Sequence, residues 1–230
     1  MKKIVIIISC IATILVGCSN NTDNIQHNTN SSDKSAELKR TYNKSINGHE
    51  YVDLGLSVKW ATCNVGASQP HELGYYFAWG EIRPKDFYGS ENSETYEVNV
   101  GDDIGGNPNL DAATANWRGT WRMPTKWEAL ELVNRCTWES GSLNGRNIAK
   151  VTGPNGNFII LPLAGYCDDG WLKYLDEYLD YWCSTSDNDS FHRYSDCMIA
   201  SILPWGWSTK PHISSYGVRR LGYPIRPVSN

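Results

Sequence analysis

The stretch Trp121-Arg122-Met123-Pro124-Thr125-Lys126-Trp127-Glu128 contains the signals of a helix start. Thr125 precedes Glu128 by three residues, which is the spacing of a capping box, where each side chain accepts from the other residue's backbone N–H. Pro124 disfavours helix before this point because its ring restricts the preceding residue. Apolar side chains then recur with the spacing of one helix face at Ala129, Leu132, Val133 and Cys136. The stretch therefore predicts a helix over about residues 126–136, on which the rest of the domain packs.

The chain begins with the basic segment Met1-Lys2-Lys3, and an apolar run follows over residues 4–16. This run is too short to span a bilayer and has the length of the apolar region of a secretory signal peptide. Leu15-Val16-Gly17-Cys18 resembles the lipobox of bacterial lipoproteins, which implies a signal peptide over residues 1–17 and acylation of Cys18. An ordinary signal peptide with a chance cysteine is the alternative.

Residues 19–47 are rich in Asn, Thr, Ser, Asp and Lys and almost lack large apolar side chains. Such a segment cannot bury enough surface to fold. We therefore expect the lipidated N-terminus and a disordered tether over residues 18–48, with an average reach of roughly 30 Å. One folded domain is expected over residues 49–230. Together these features predict an outer-membrane protein that is anchored through Cys18 and faces either the periplasm or the cell surface.

The charge and the aromatic content narrow the choice of partners. The net charge is −4, and no cluster of basic residues exists beyond Arg219-Arg220, which argues against a nucleic-acid partner. Aromatic residues make up 12% of the chain, with 10 Trp and 13 Tyr. This surplus predicts either a large aromatic core or an aromatic-lined binding surface.

The remaining local patterns indicate an α+β domain. Alternation of apolar and polar residues over 52–60 predicts a half-buried strand or a hairpin bent at Gly55. Asp111 is expected to cap a short helix over residues 112–115, and Asn155-Gly156 predicts a hairpin turn. Further strands are predicted over residues 74–81, 147–151, 158–163, 178–185, 197–203 and 223–228. Strands with two short helices ahead of most of them, without βαβ alternation, are typical of α+β folds.

Six segments carry a resemblance to one protein family. They are YVDLGLSVKWATCNVGA (51–67), YFAWGE (76–81), DAATANW (111–117), WRMPT (121–125), LPLAGY (161–166) and IRPV (225–228). In this order they resemble the Fibrobacter succinogenes major paralogous domain, which is common in exported lipoproteins of gut bacteria. The resemblance covers about residues 50–228, and it implies no settled biochemical activity.

A wider resemblance bears on the fold. The segment RMPTKWE (122–128) is similar to the helix-start motif of formylglycine-generating enzymes, whose domains have the C-type-lectin-like fold. It implies a single α+β domain with a twisted antiparallel sheet, two short helices and long loops, and ligand recognition late in the chain. The copper-dependent chemistry of those enzymes needs two neighbouring cysteines near the C-terminus. Cys167, Cys183 and Cys197 are far apart in the sequence, so that motif is absent.

Two arginines, Arg122 and Arg226, lie in apolar segments, where a buried guanidinium needs a partner. We predict that one of them pairs with Glu81, Glu128 or Asp53, and that this pair stabilises the scaffold. The domain also has five cysteines, an odd number, so at least one thiol lies outside any intramolecular disulfide. Burial of all five as small apolar side chains is equally consistent with the sequence.

The candidate ligand-binding residues are aromatic side chains in polar segments that contain Gly, Pro or Asp. They are Trp171, Tyr174, Trp205, Trp207 and Tyr216. Exposed Trp and Tyr flanked by Asp, Asn and Ser suit stacking on sugars or contact with a protein partner. Aromatic side chains that anchor a loop on the core give the same pattern.

The sequence offers no complete catalytic or metal-binding motif. The four histidines of the domain lack the spacing of a zinc protease, and no nucleophile elbow or P-loop occurs. Acidic pairs such as Asp168-Asp169 can supply calcium ligands, although solvated turns explain them as well, so no cofactor is expected and calcium is the alternative. We expect a non-catalytic domain that binds a glycan or a protein. A structural envelope or adhesin component and a formylglycine-generating-type oxidase are the other two hypotheses.

Overall fold

The computed structural model describes residues 44–187, 189–203 and 206–230. The predicted signal peptide, the lipidation site Cys18, most of the predicted tether and the candidate residue Trp205 lie outside these ranges. Across the described ranges, no helix is both long and apolar enough to cross a membrane.

Short antiparallel strands dominate the described chain. The helices are α1 (Ala112–Trp117) and α2 (Lys126–Arg135), and a single 3-10 turn covers Ser90–Asn92. The strands are β1 (Ser45–Ile46), β2 (His49–Val52), β3 (Lys59–Ala61), β4 (Thr137–Leu143), β5 (Arg146–Thr152), β6 (Phe158–Pro162), β7 (Tyr166–Asp168), β8 (Trp171–Lys173), β9 (Tyr178–Ser186), β10 (Tyr194–Leu203), β11 (Gly206–Val218) and β12 (Val228–Ser229). β1 pairs with β2, so regular structure begins a few residues before residue 49.

The strands form four sheets, with orders β1-β2-β3-β12, β4-β5-β6, β7-β8 and β11-β10-β9. Every one of these pairings is antiparallel. The predicted mostly antiparallel α+β architecture with two short helices is therefore confirmed. The strands of the described residues are divided among four small sheets, and the long segment over residues 62–111 contributes isolated bridges and the 3-10 turn.

The predicted helix start is present in α2. The Thr125 hydroxyl accepts from the Glu128 backbone N–H at 3.3 Å, and the Glu128 carboxylate accepts from the Thr125 N–H at 2.8 Å. The same carboxylate accepts two bonds from the Arg122 guanidinium at 2.7 and 2.5 Å, which is the predicted ion pair. Ala129 and Leu132 are buried, so this pair and the capping box fix the helix that supports the core.

The second arginine has a different environment. Arg226 is buried and donates to the carbonyls of Ala61 and Thr62 at 3.1 and 2.7 Å and to the Asn64 side chain at 2.8 Å. Glu81 instead forms an ion pair with Lys85 at 2.7 Å. Arg226 therefore joins its loop to β3 mainly through neutral acceptors.

Two of the predicted strands are mostly irregular in the structure. Residues 74–81 and 223–228 meet only where Phe77 pairs with Tyr223, and only Val228 and Ser229 belong to a strand. Gly80 has a φ of 76°, which is outside the strand region, and the prolines in the second segment lack a backbone N–H.

The core has two main clusters, and β9 contributes to both. Leu179 and Tyr181 pack in one cluster with Trp60 and residues of β5 and β6. Trp182 packs in the other with Trp79. β9 is therefore buried on both faces over most of its length, and much of the aromatic surplus lies in the core.

Within the described residues, four of the cysteines form no cross-link between these clusters. Cys63, Cys136, Cys183 and Cys197 are free thiols, and the last two are buried among apolar side chains. Burial raises the pKa of Cys136 to about 11, so this thiol stays protonated near neutral pH.

Candidate functional site

The structure separates the candidate aromatic residues into different places. Trp171 and Tyr174 are 68% and 46% exposed and lie at the hairpin β7–β8. Tyr216 is 77% exposed, but its ring contacts Tyr194 on the sheet of β9, β10 and β11. Trp207 is half-buried and packs against the first core cluster, so it anchors β11. This is the alternative role for such residues, an aromatic side chain that holds a loop or strand on the core.

The hairpin presents one polar and aromatic face. Tyr166 pairs with Lys173 and Asp168 pairs with Trp171, so strand alternation places these four side chains on the same side. The opposite side carries Cys167 and Leu172, which pack on Ala78 and Tyr88. The buried side therefore holds the hairpin in place, and the other side faces solvent.

Two tyrosines extend this face beyond β8. Tyr174 has a φ of 55°, and its carbonyl accepts from the backbone N–H groups of Glu177 and Tyr178, which closes a tight turn. The ring of Tyr174 stacks on that of Tyr178 at 4.5 Å and lies 5.7 Å from that of Tyr166. We name Tyr166, Trp171, Tyr174 and Tyr178 the aromatic platform.

Charged groups border the platform. Asp168 pairs with Lys173 and with Arg220, each at 2.5 Å. Burial alone raises the pKa of Asp168, but the hydrogen bonds from Lys173 and Arg220 outweigh it and hold the pKa below its usual value. The carboxylate therefore stays ionised near neutral pH, and the three side chains form a polar rim beside the rings.

A buried acid, which the sequence analysis missed, lies beside the platform. Asp180 is 6% exposed, and its Oδ2 atom accepts no hydrogen bond from the described residues. Desolvation raises its pKa to about 7. In the sequence, the only sign of this buried acid is its position between Leu179 and Tyr181, in a segment that is otherwise apolar.

The raised pKa of Asp180 predicts a pH-dependent stability. The unfolded carboxyl titrates near 3.8 and the folded one near 7, so the fold binds more protons between these values and loses stability as the pH rises. Relative to Asp180→Asn, the wild type should lose about 2–3 kcal/mol of unfolding free energy between pH 5 and 8. Urea denaturation of both proteins at the two pH values measures this difference. Equal pH slopes for the two proteins would contradict the assignment.

Two other concave regions are less suited to a ligand. A groove of about 230 Å³ is lined by Trp138, Trp207 and Pro211 with two neighbouring side chains, and Trp207 serves there as a core anchor. A polar cleft of about 140 Å³ contains Asp189, whose two oxygens already accept from the backbone N–H groups of Phe191 and Arg193. Among the described residues, no three metal-ligating side chains are grouped closely enough to hold a metal ion.

The platform with its charged rim is therefore the surface best suited to a ligand in the described part of the chain. Comparisons of the chain with protein-family models, with curated proteins and with solved structures found no match in any of the three.

Proposed function

We propose that the domain binds a glycan, without chemical turnover, through the aromatic platform of Tyr166, Trp171, Tyr174 and Tyr178. The observation that carries the proposal is the exposed stack of Tyr174 and Tyr178, with ring centroids 4.5 Å apart and Trp171 exposed on the neighbouring hairpin. Flat aromatic rings offer an apolar surface for the C–H face of a sugar at little conformational cost.

The rim supplies the polar half of the same surface. Sugar hydroxyls donate to carboxylates and accept from guanidinium and ammonium groups, and Asp168, Arg220 and Lys173 present these groups next to the rings. A few fixed polar groups around an apolar surface are typical of small-molecule sites.

The membrane anchor, the family and the finer fold class are inferred from the sequence. We infer an outer-membrane lipoprotein that is cleaved before Cys18, related to the Fibrobacter succinogenes major paralogous domain and folded as a C-type-lectin-like, formylglycine-generating-enzyme-like domain. The lipobox resemblance and the helix-start motif support these inferences. Mass spectrometry of the mature N-terminus tests the anchor, and an unmodified Cys18 would exclude it.

A double substitution tests the platform. Trp171→Ala with Tyr174→Ala removes two exposed side chains, so glycan affinity should fall at least about tenfold while the melting temperature stays within about 2 °C. Glycan-array binding of the full chain, followed by calorimetry on the best ligand, measures the affinity. Unchanged binding, or a loss of binding that comes with a loss of stability, would exclude the platform as the binding surface.

Two single variants serve as controls. Tyr216→Ala removes a more exposed tyrosine elsewhere and should leave binding and stability unchanged. Trp207→Ala removes a half-buried anchor and should lower stability without a direct effect on binding. If no glycan binds but an envelope protein is captured in a manner that depends on Trp171, the platform belongs to a protein partner.

A further inference from the structure

Five aromatic rings form a continuous arc that begins at the platform and ends in the core. The ring centroids of Tyr178 and Tyr174 are 4.5 Å apart, and those of Tyr174 and Tyr166 are 5.7 Å apart. Tyr166 lies 5.9 Å from Tyr223, and Tyr223 stacks on Trp182 at 4.2 Å. The first two rings are exposed and the last two are buried, so the arc has an open end and a closed end.

The two ends of this arc lie on one strand, on either side of Asp180. Tyr178, Asp180 and Trp182 occupy alternate positions of β9, so their side chains share a face of the sheet. The other three rings connect Tyr178 to Trp182 across that face. The buried carboxyl of Asp180 therefore lies on the same face of β9 as the two ends of the aromatic arc.

The carboxyl of Asp180 has no cation partner within the described chain. The two basic side chains of the platform rim, Lys173 and Arg220, are both paired with Asp168. Asp180 appears in none of the ion pairs of the described residues, and its Oδ2 atom accepts no hydrogen bond there. A buried acid without a partner is costly to ionise, and a cation that binds beside the carboxylate would lower this cost.

A carboxylate beside a set of aromatic faces suits a cationic group. The ring faces carry negative electrostatic potential and attract ammonium groups, most strongly where water is excluded. We propose that the aromatic arc and Asp180 bind the ammonium group of an amino sugar, which enters past Tyr174 and Tyr178. This inference rests on the proposed glycan function, because the platform would hold the sugar ring to which the ammonium group is attached.

The pH dependence of binding follows from the groups that face Asp180. The charge of Asp180 acts on Tyr166 of β7, Tyr223 before β12 and Cys197 of β10, and burial raises the pKa of each of them further above neutrality. They stay neutral between pH 6 and 8, whereas Asp180, with a pKa of about 7, gains its charge over this range. A permanently charged probe should therefore bind more tightly at pH 8 than at pH 6.

The first test compares two oligosaccharides that differ only in whether their amino groups are acetylated. Calorimetry on the full chain should show that a β-1,4-linked glucosamine hexamer binds at least about tenfold more tightly than its fully N-acetylated form. Asp180→Asn should abolish this preference and keep the binding of the acetylated form. Equal affinities for the two sugars in the wild type, or a preference that survives in Asp180→Asn, would overturn the inference.

The second test uses tetramethylammonium, whose charge does not change with pH. Its affinity should rise by about tenfold from pH 6 to pH 8 in the wild type and stay flat in Asp180→Asn. Tyr174→Ala should weaken its binding at both pH values, and Tyr216→Ala should not. A flat pH profile in the wild type would contradict the assignment of Asp180.

The outcomes also separate this inference from the proposed function. If neutral glycans bind through Trp171 without any preference for the free amine, the platform is supported as the glycan-binding surface and the ammonium site is excluded. If no saccharide binds, both the glycan-binding function and the ammonium site are excluded. A lysine-containing peptide that binds more tightly than the glucosamine hexamer would overturn the amino-sugar assignment.

Discussion

Replacing Asp111 with alanine should lower the free energy of unfolding by about 4 kcal/mol or more, the largest effect that we expect from a single truncation. Asp111 is fully buried, and one of its oxygens accepts from the N–H groups of Ala113 and Thr114 at 2.8 and 3.0 Å. The other accepts from Gly106 at 2.8 Å and from Met123 at 2.9 Å. One carboxylate therefore caps α1 and joins it to the loops on both sides.

The large effect has a simple cause. Alanine would leave four backbone donors without their acceptor, and a buried donor without a partner costs about 1–3 kcal/mol. Asp111→Asn keeps one acceptor oxygen and should therefore cost about half as much, which keeps the test informative even if the alanine variant does not fold. Urea denaturation measures both variants, with Asp102→Ala in the exposed loop as the control. A loss below about 1 kcal/mol for Asp111→Ala would contradict this role.

Replacing Arg219 with methionine should cost about 3–5 kcal/mol. Its guanidinium is buried, lies 4.2 Å from the Trp79 ring, and donates to Val98 and Ser195 at 3.0 Å and to the carbonyl of Tyr194. Burial lowers the pKa of Arg219 to about 10, so the group is still charged at neutral pH. Methionine fills much of the volume of the arginine side chain. It leaves the carbonyl of Val98, and the acceptors of Tyr194 and Ser195 in β10, without a donor.

The neighbouring residue provides the matched control for this prediction. Arg220 has a half-buried side chain that pairs with Asp168 near the surface, so Arg220→Met should cost less than about 1 kcal/mol. Arg219→Lys should be intermediate, because it keeps the charge but loses the fork of donors. Denaturation of the three variants at pH 7 measures the order, and equal losses for Arg219→Met and Arg220→Met would argue against the buried network.

The parts of the fold that could be predicted from sequence are those fixed by neighbouring residues. The capping box of Thr125 and Glu128, the cap at Asp111 and the β5–β6 hairpin each depend on residues a few positions apart. The place of β12 in the first sheet depends instead on a pairing between distant segments, in which Val228 lies opposite Trp60. Local propensity contains no information about such pairings, because tertiary packing decides them.

Only part of the candidate site could be predicted from the sequence, as for the fold. Trp171 and Tyr174 were selected as aromatic residues in a polar segment, and both are exposed. Trp207 fits the same pattern but is half-buried, because it packs against the first core cluster, whose residues come from other elements. Sequence alone cannot supply those partners. Asp180 was missed for a related reason, since an acid at one position of an apolar strand gives no sign of the rings that share its face of the strand.

The position of β12 has a consequence for the order in which the domain forms. Val228 and Ser229 pair with β3, Val228 also bridges Arg122, and Arg226 is buried against residues that follow β3. A polypeptide that does not yet include residues 221–230 therefore lacks a strand of its first sheet and part of both cores. Closure of the first sheet and completion of both cores are therefore late events, which come only after the rest of the domain has been synthesised.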